Sequence, residues 1–168
     1  MTESYIHVAM RQYLKDNGWH LIAGEFPGGT DDELNVLSIS DPEVARDNSP
    51  DPRRHSTGEI VPDLVAHKDG VILIVEAKSR YSQSDKEKLD DLLTDKRNRL
   101  VAALEKFSLN KPEFTNIDYR NVRYVPVLAF HHSVDTIKKV DLGFAHIYVE
   151  SLTRVTMKYF SPVGASLI

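Results

Sequence analysis

Three ionisable residues stand close together in an otherwise apolar stretch of this sequence. They are Asp63, Glu76 and Lys78, within GEIVPDLVAHKDGVILIVEAKS at positions 58–79. Hard divalent ions such as Mg²⁺ take oxygen ligands, often one or two carboxylates with waters and a phosphate completing the shell. A lysine beside them supplies a fixed positive charge where negative charge develops. These residue types point to metal-assisted chemistry on a phosphate, provided the fold brings them together.

A hairpin is the element that must do this. His67-Lys68-Asp69-Gly70-Val71 sets Asp-Gly between two apolar runs, the pattern of a two-residue turn whose positions both take positive φ. With Asp69 and Gly70 as the loop, Lys68 pairs with Val71, and Asp63 falls directly opposite Glu76. Opposed residues share a face, with Cβ atoms about 4.5–5.5 Å apart. Lys78, two residues beyond Glu76, falls on that face too. VILIVEA is almost continuously apolar, as in a strand covered on both faces. Charges at the end of such a strand are costly unless paired or bound to a metal. Two facing carboxylates call for a cation, and Lys78 alone neutralises them only in part.

The flanking elements follow from periodicity. Residues 3–17 read as a helix with Ile6, Met10, Tyr13 and Leu14 along one stripe and Gly18 placed to end it. WHLIAG at 19–24 reads as a strand. The hairpin strands are expected at 59–67 and 71–78, a long helix at about 84–107, and further strands at 123–132 and 144–151. Between positions 26 and 58 the character changes: four prolines and seven acids stand against Arg46, Arg53 and Arg54. NVLSIS at 35–40 reads as a short strand inside it, and 41–57 as a mobile loop. The expected class is α/β (α+β): three layers, with a central mixed sheet that carries the antiparallel hairpin and helices flanking it.

Composition sets the outer limits. The 168 residues suit a single domain over 1–168, with 41 % hydrophobic and 27 % charged residues. Cysteine is absent, which removes disulfides and thiolate metal sites and favours a reducing, cytoplasmic setting. No signal peptide or membrane span is expected. The net charge of −4 argues against a surface coated in positive charge for non-specific nucleic-acid binding, though not against a local basic groove.

Pro62-Asp63, twelve residues, and then Glu76-Ala77-Lys78 resembles the PD-(D/E)XK nuclease superfamily. The resemblance covers roughly residues 3–132: a helix, a strand, the hairpin, a helix, a strand. It implies a restriction-endonuclease-like fold and a metal-dependent DNA endonuclease. Asp63 and Glu76 would ligate Mg²⁺, with Mn²⁺ able to substitute, and the carbonyl of Ala77 would join them. Lys78 would position or activate the attacking water. Many members add an acid from the first helix, and Glu3 stands at a suitable place, although a first-turn Glu is also what a helix dipole favours. No Gln-x-x-x-Tyr follows Lys78, and no DNA-recognition domain is recognisable.

The expected partner is DNA, in a homodimer or a larger nuclease complex, with no membrane. Arg53, Arg54, Arg80, Gln83 and Lys86 are the candidate DNA contacts, read against the ordinary alternative of solvated loop, strand-end and helix residues. His131-His132 reads as a polar-tipped strand end, and His20 and His67 as residues without partner spacing. The alternative function is a non-catalytic or partner-dependent DNA-binding or assembly subunit on the same fold.

Overall fold

The computed structural model describes residues 1–29, 31–40, 59–133 and 139–168. Helix α1 (Glu3–Asp16) is capped by Thr2, whose Oγ1 accepts a 3.2 Å hydrogen bond from the Tyr5 N–H. Strand β1 (His20–Gly24) follows. Strands β2 (Leu64–Lys68) and β3 (Val71–Ala77) form the predicted hairpin. Its turn has Asp69 at φ 48° and Gly70 at φ 77°, both in the left-handed region that Asp-Gly tolerates. Lys68 pairs with Val71, and the ladder runs to Leu64 opposite Val75.

Two helices follow, α2 (Gln83–Thr94) and α3 (Arg97–Ser108), where periodicity predicts one. The apolar stripe does continue through both, from Leu89 and Leu92 to Leu100 and Leu104. The break falls at Asp95-Lys96. There the Thr94 hydroxyl donates a 2.7 Å hydrogen bond back to the Asp90 carbonyl, a local bond of the kind that bends helices. Strands β4 (Arg123–His131), β5 (Ala145–Val149) and β6 (Val155–Tyr159) complete the sheet. β6 has no counterpart among the predicted elements, although Val-Thr-Met-Lys-Tyr alternates as a half-buried strand does. NVLSIS adds only a bridge from Ile39 to Ile60.

The six strands lie in sequence order in one mixed sheet. β1, β2 and β3 pair antiparallel, β3–β4 and β4–β5 parallel, and β5–β6 antiparallel. Every residue of β3 is buried, because both faces are covered. Val71, Leu73, Val75 and Ala77 pack with Ile6, Met10 and Leu14 of α1. Ile72 and Ile74 pack on the other face with Leu89, Leu92, Leu100 and Leu104. Each fully buried aliphatic side chain of this kind contributes roughly 1.5–3 kcal/mol. The result is an α+β fold with helices on both faces of a mixed sheet. Among the described residues no helix is long and apolar enough to cross a membrane.

Candidate metal centre

The carboxyl end of β3 is where the charged residues collect. It is the end of a parallel strand, beside β4, where open α/β sheets place their ligands. Two helices point their N-termini at it. α1 brings Glu3 and His7, one turn apart on a single face. α2 brings Asp85, whose N–H donates to the capping Ser82 Oγ at 3.2 Å, and Lys88 one turn on.

Asp63 lies just before β2 in a bend, one step past the end of the paired ladder. Its side chain closes the gap that the ladder leaves: Oδ2 accepts a 2.8 Å hydrogen bond from the Ala77 N–H. That bond fixes the Asp63 carboxylate against the Glu76-Ala77 peptide. Glu76 is almost fully buried. Burial, then the charge of Asp63, push its carboxyl up to about 9, and Lys88 offsets this only in part. A buried carboxyl beside another carboxylate holds a proton at neutral pH unless a stronger cation arrives.

Lys78 stays within the cluster but turns toward α1. Its N–H continues the backbone pairing to the Ala129 carbonyl. Its Nζ, however, lies 3.3 Å from Glu3 in α1 and is half-exposed. Burial of the ammonium works against its charge, but the carboxylates of Asp85 and Glu3 outweigh it and raise its pKa. The cation on Glu76 is instead Lys88, with Nζ 2.5 Å from Oε1. Sequence alone reads Lys88 as a solvated or DNA-facing residue at the opening of the helix and gives no sign of this pair.

Two further residues of the cluster escaped that reasoning. His7 is completely buried, against the Phe26 ring, and neither ring nitrogen has a hydrogen-bond partner among the described residues. Its Nε2 is 3.9 Å from Asp63 Oδ2. Burial lowers the pKa of the imidazole, against the charges of Asp63 and Glu3. Asp85 is the second: its Oδ2 is buried without a hydrogen-bond partner among the described residues, and burial raises its pKa. The signal for His7 was Glu3-x-x-x-His7 on the same helix as the Met10 and Leu14 stripe. For Asp85, Ser82-x-x-Asp85 reads as an ordinary helix cap.

These donors fit a divalent cation. Ligand atoms of Glu3, His7 and Asp63 all lie within 4.8 Å of one another. The like charges of Glu3 and Asp63 and the orphaned imidazole of His7 are relieved by one added positive ion. Ala77 contributes backbone only, through its buried peptide.

The remaining predicted residues are dispersed. Arg80, exposed, lies between Lys78 and α2. The Gln83 Oε1 accepts from the Tyr81 hydroxyl at 3.3 Å. Lys86 pairs with Asp90 at 2.6 Å, and its Nζ sits 5.6 Å from the centre of the Phe144 ring. Arg53 and Arg54, with the whole of 41–57, lie outside the described residues. His20 and His67, predicted to be unrelated, face each other across β1 and β2. They border a hollow of about 1010 Å³ lined also by Trp19, Leu21 and Phe114, at the turn end of the hairpin and remote from the acids. His132 meets Glu150 at 3.4 Å beyond the end of β4, as a polar strand end does. No family model matches the chain, and neither does any curated protein.

Proposed function

We propose that this protein is a metal-dependent DNA endonuclease, a phosphodiester hydrolase on a restriction-endonuclease-like version of its α+β fold. One observation carries the reading: the 2.8 Å hydrogen bond from the Ala77 N–H to Asp63. It ties the Pro62-Asp63 bend to the Glu76-Ala77-Lys78 strand end, so that both halves of the motif form one cluster.

Asp63, Glu76 and Glu3, with the Ala77 carbonyl, would hold Mg²⁺ or Mn²⁺, which when bound polarises a phosphate and makes water more acidic. The chain's own groups do the rest. The N-termini of α1 and α2 favour an anion at the mouth of the cluster. Lys78 is held to Glu3 only by a half-exposed pair, which is weak and readily exchanged for a phosphate oxygen. Arg80, just before α2, and Gln83 and Lys86, in its first turn, are the candidates to contact a phosphodiester backbone. In-line hydrolysis needs no nucleophilic side chain.

The test is cleavage of supercoiled, linear and branched DNA with Mg²⁺ or Mn²⁺, with Asp63→Asn beside the wild type. Cleavage by wild type and none by the folded variant is the expected result. A wild type inert on every substrate, also with a purified partner, would replace the enzyme with an assembly subunit.

A further inference from the structure

We infer that His7 is a metal ligand, and that Glu3, His7 and Asp63 together make the centre selective for a first-row transition ion, Mn²⁺ in preference to Mg²⁺. This deepens the proposed function by naming the ion, and it stands or falls apart from whether DNA is cut.

The argument starts from His7 as an anomaly. A buried polar group without a partner is destabilising by roughly 1–3 kcal/mol, so buried polar groups are nearly always satisfied. His7 is 0 % exposed, and both of its ring nitrogens lack a partner among the described residues. An apolar side chain would fill the same space against Phe26 without that penalty. The 3.9 Å from Nε2 to Asp63 Oδ2 is too long for a hydrogen bond. Two atoms each about 2.0–2.2 Å from one ion stand about 3.0 Å apart at a right angle and about 3.4 Å apart at a tetrahedral angle, so a closing movement of about 0.5–0.9 Å lets Nε2 and Oδ2 share one. Glu3, one helical turn before His7, brings a third ligand atom within 4.8 Å of both. Its present partner is Lys78, and an ion would take that place.

The donor set then decides the metal. Carboxylate oxygens alone suit Mg²⁺, which is bound through oxygen and water. An imidazole nitrogen shifts preference toward transition ions, which accept nitrogen readily. Asp63 is already oriented by the Ala77 N–H, so the site has the supporting bond that a ligating carboxylate normally shows.

Binding is measured on the full chain without nucleic acid, using MnCl₂ and MgCl₂ as probes. Calorimetry and the electron paramagnetic resonance signal of free Mn²⁺ give the two affinities. Mn²⁺ should bind the wild type at least about tenfold more tightly than Mg²⁺. His7→Ala should weaken Mn²⁺ at least about tenfold and change Mg²⁺ by less than about threefold. Should His7→Ala not fold, His7→Gln replaces it, keeping the bulk but offering no imidazole, with the same expected loss. Equal Mn²⁺ and Mg²⁺ affinities in the wild type overturn the inference, as does unchanged Mn²⁺ binding in a folded His7 variant. Selective Mn²⁺ binding through His7 in a protein that cuts no DNA upholds it and removes the nuclease reading. Cleavage without that selectivity does the reverse.

Discussion

Lys88 Nζ sits 2.5 Å from Glu76 Oε1, so an α2 ammonium occupies the place at Glu76 where a divalent ion would bind. Glu76 is buried and Lys88 is partly exposed, so the pair is sheltered on one side only. Lys88→Met should lower stability by less than about 1 kcal/mol, since Glu76 already tends to hold a proton. It should also tighten divalent binding severalfold, because a competing cation is gone. Urea melts and calorimetry check the two. Weaker metal binding in the variant would mean that Lys88 supports the centre and does not compete with it.

Lys78 is predicted to behave in the opposite way. Its partner is Glu3 at 3.3 Å, and it is half-exposed, so Lys78→Ala should fold normally and bind metal at least as tightly as wild type. Removing one preorganised charge at a reacting centre typically lowers rates about 10²–10³-fold. Cleavage should therefore collapse while melting temperature and metal affinity hold. Full activity in the variant would take the chemistry away from Lys78.

Acid should destabilise the protein through His146, away from the acid cluster. It is fully buried among Phe130, Tyr148 and Phe160, with Nε2 2.8 Å from Asp141. Burial lowers its pKa below the usual 6.5, more than Asp141 raises it. The unfolded chain therefore takes up the proton first as pH falls. Stability from this group is complete above about pH 6.5 and declines below it, until the folded form also protonates, by at most about 1.4 kcal/mol per pH unit. His7 and His67, with pKa values also lowered mainly by burial, act with the same sign. Chemical denaturation from pH 7.5 to 4.5 should show a shallower slope for His146→Gln than for wild type. Identical slopes would show that His146 does not carry the acid sensitivity.

Gly70 at φ 77° sits where a side chain is strained. Gly70→Ala should lose about 1–2 kcal/mol, with no change in metal affinity, because nothing lies within 4 Å of the added methyl. Thermal melts and Mn²⁺ titration test this. A loss of metal binding would show that the turn had reset the register.

Asp69-Gly70 makes the hairpin legible from sequence. The register that this turn imposes is enough to bring Asp63 near Glu76, and the ladder from Lys68 to Leu64 follows it. Contacts between distant segments are not legible in the same way. Lys88 reaches Glu76 only because α2 docks over the even-numbered residues of β3. Lys78 turns to Glu3 because α1 starts at the same edge of the sheet. His7 is hidden by its neighbours, since a histidine within an apolar stripe reads as filler unless its nitrogens can be seen to lack partners. The break between α2 and α3 is equally hidden, because the stripe runs through it.

The two-residue turn also bears on the order in which the centre is assembled. β2 and β3 close across two residues, whereas β1–β2 and β3–β4 join segments about 40–50 residues apart. Hairpins close in roughly 1–10 μs, and the long closures come later. Asp63 and Glu76 therefore meet while water still screens their repulsion, before α2 arrives to seal Glu76. This pairing of two carboxylates is thus made when it is least unfavourable. Stopped-flow folding should find Val65→Ala and Ile74→Ala slowing folding, and Leu14→Ala mainly speeding unfolding.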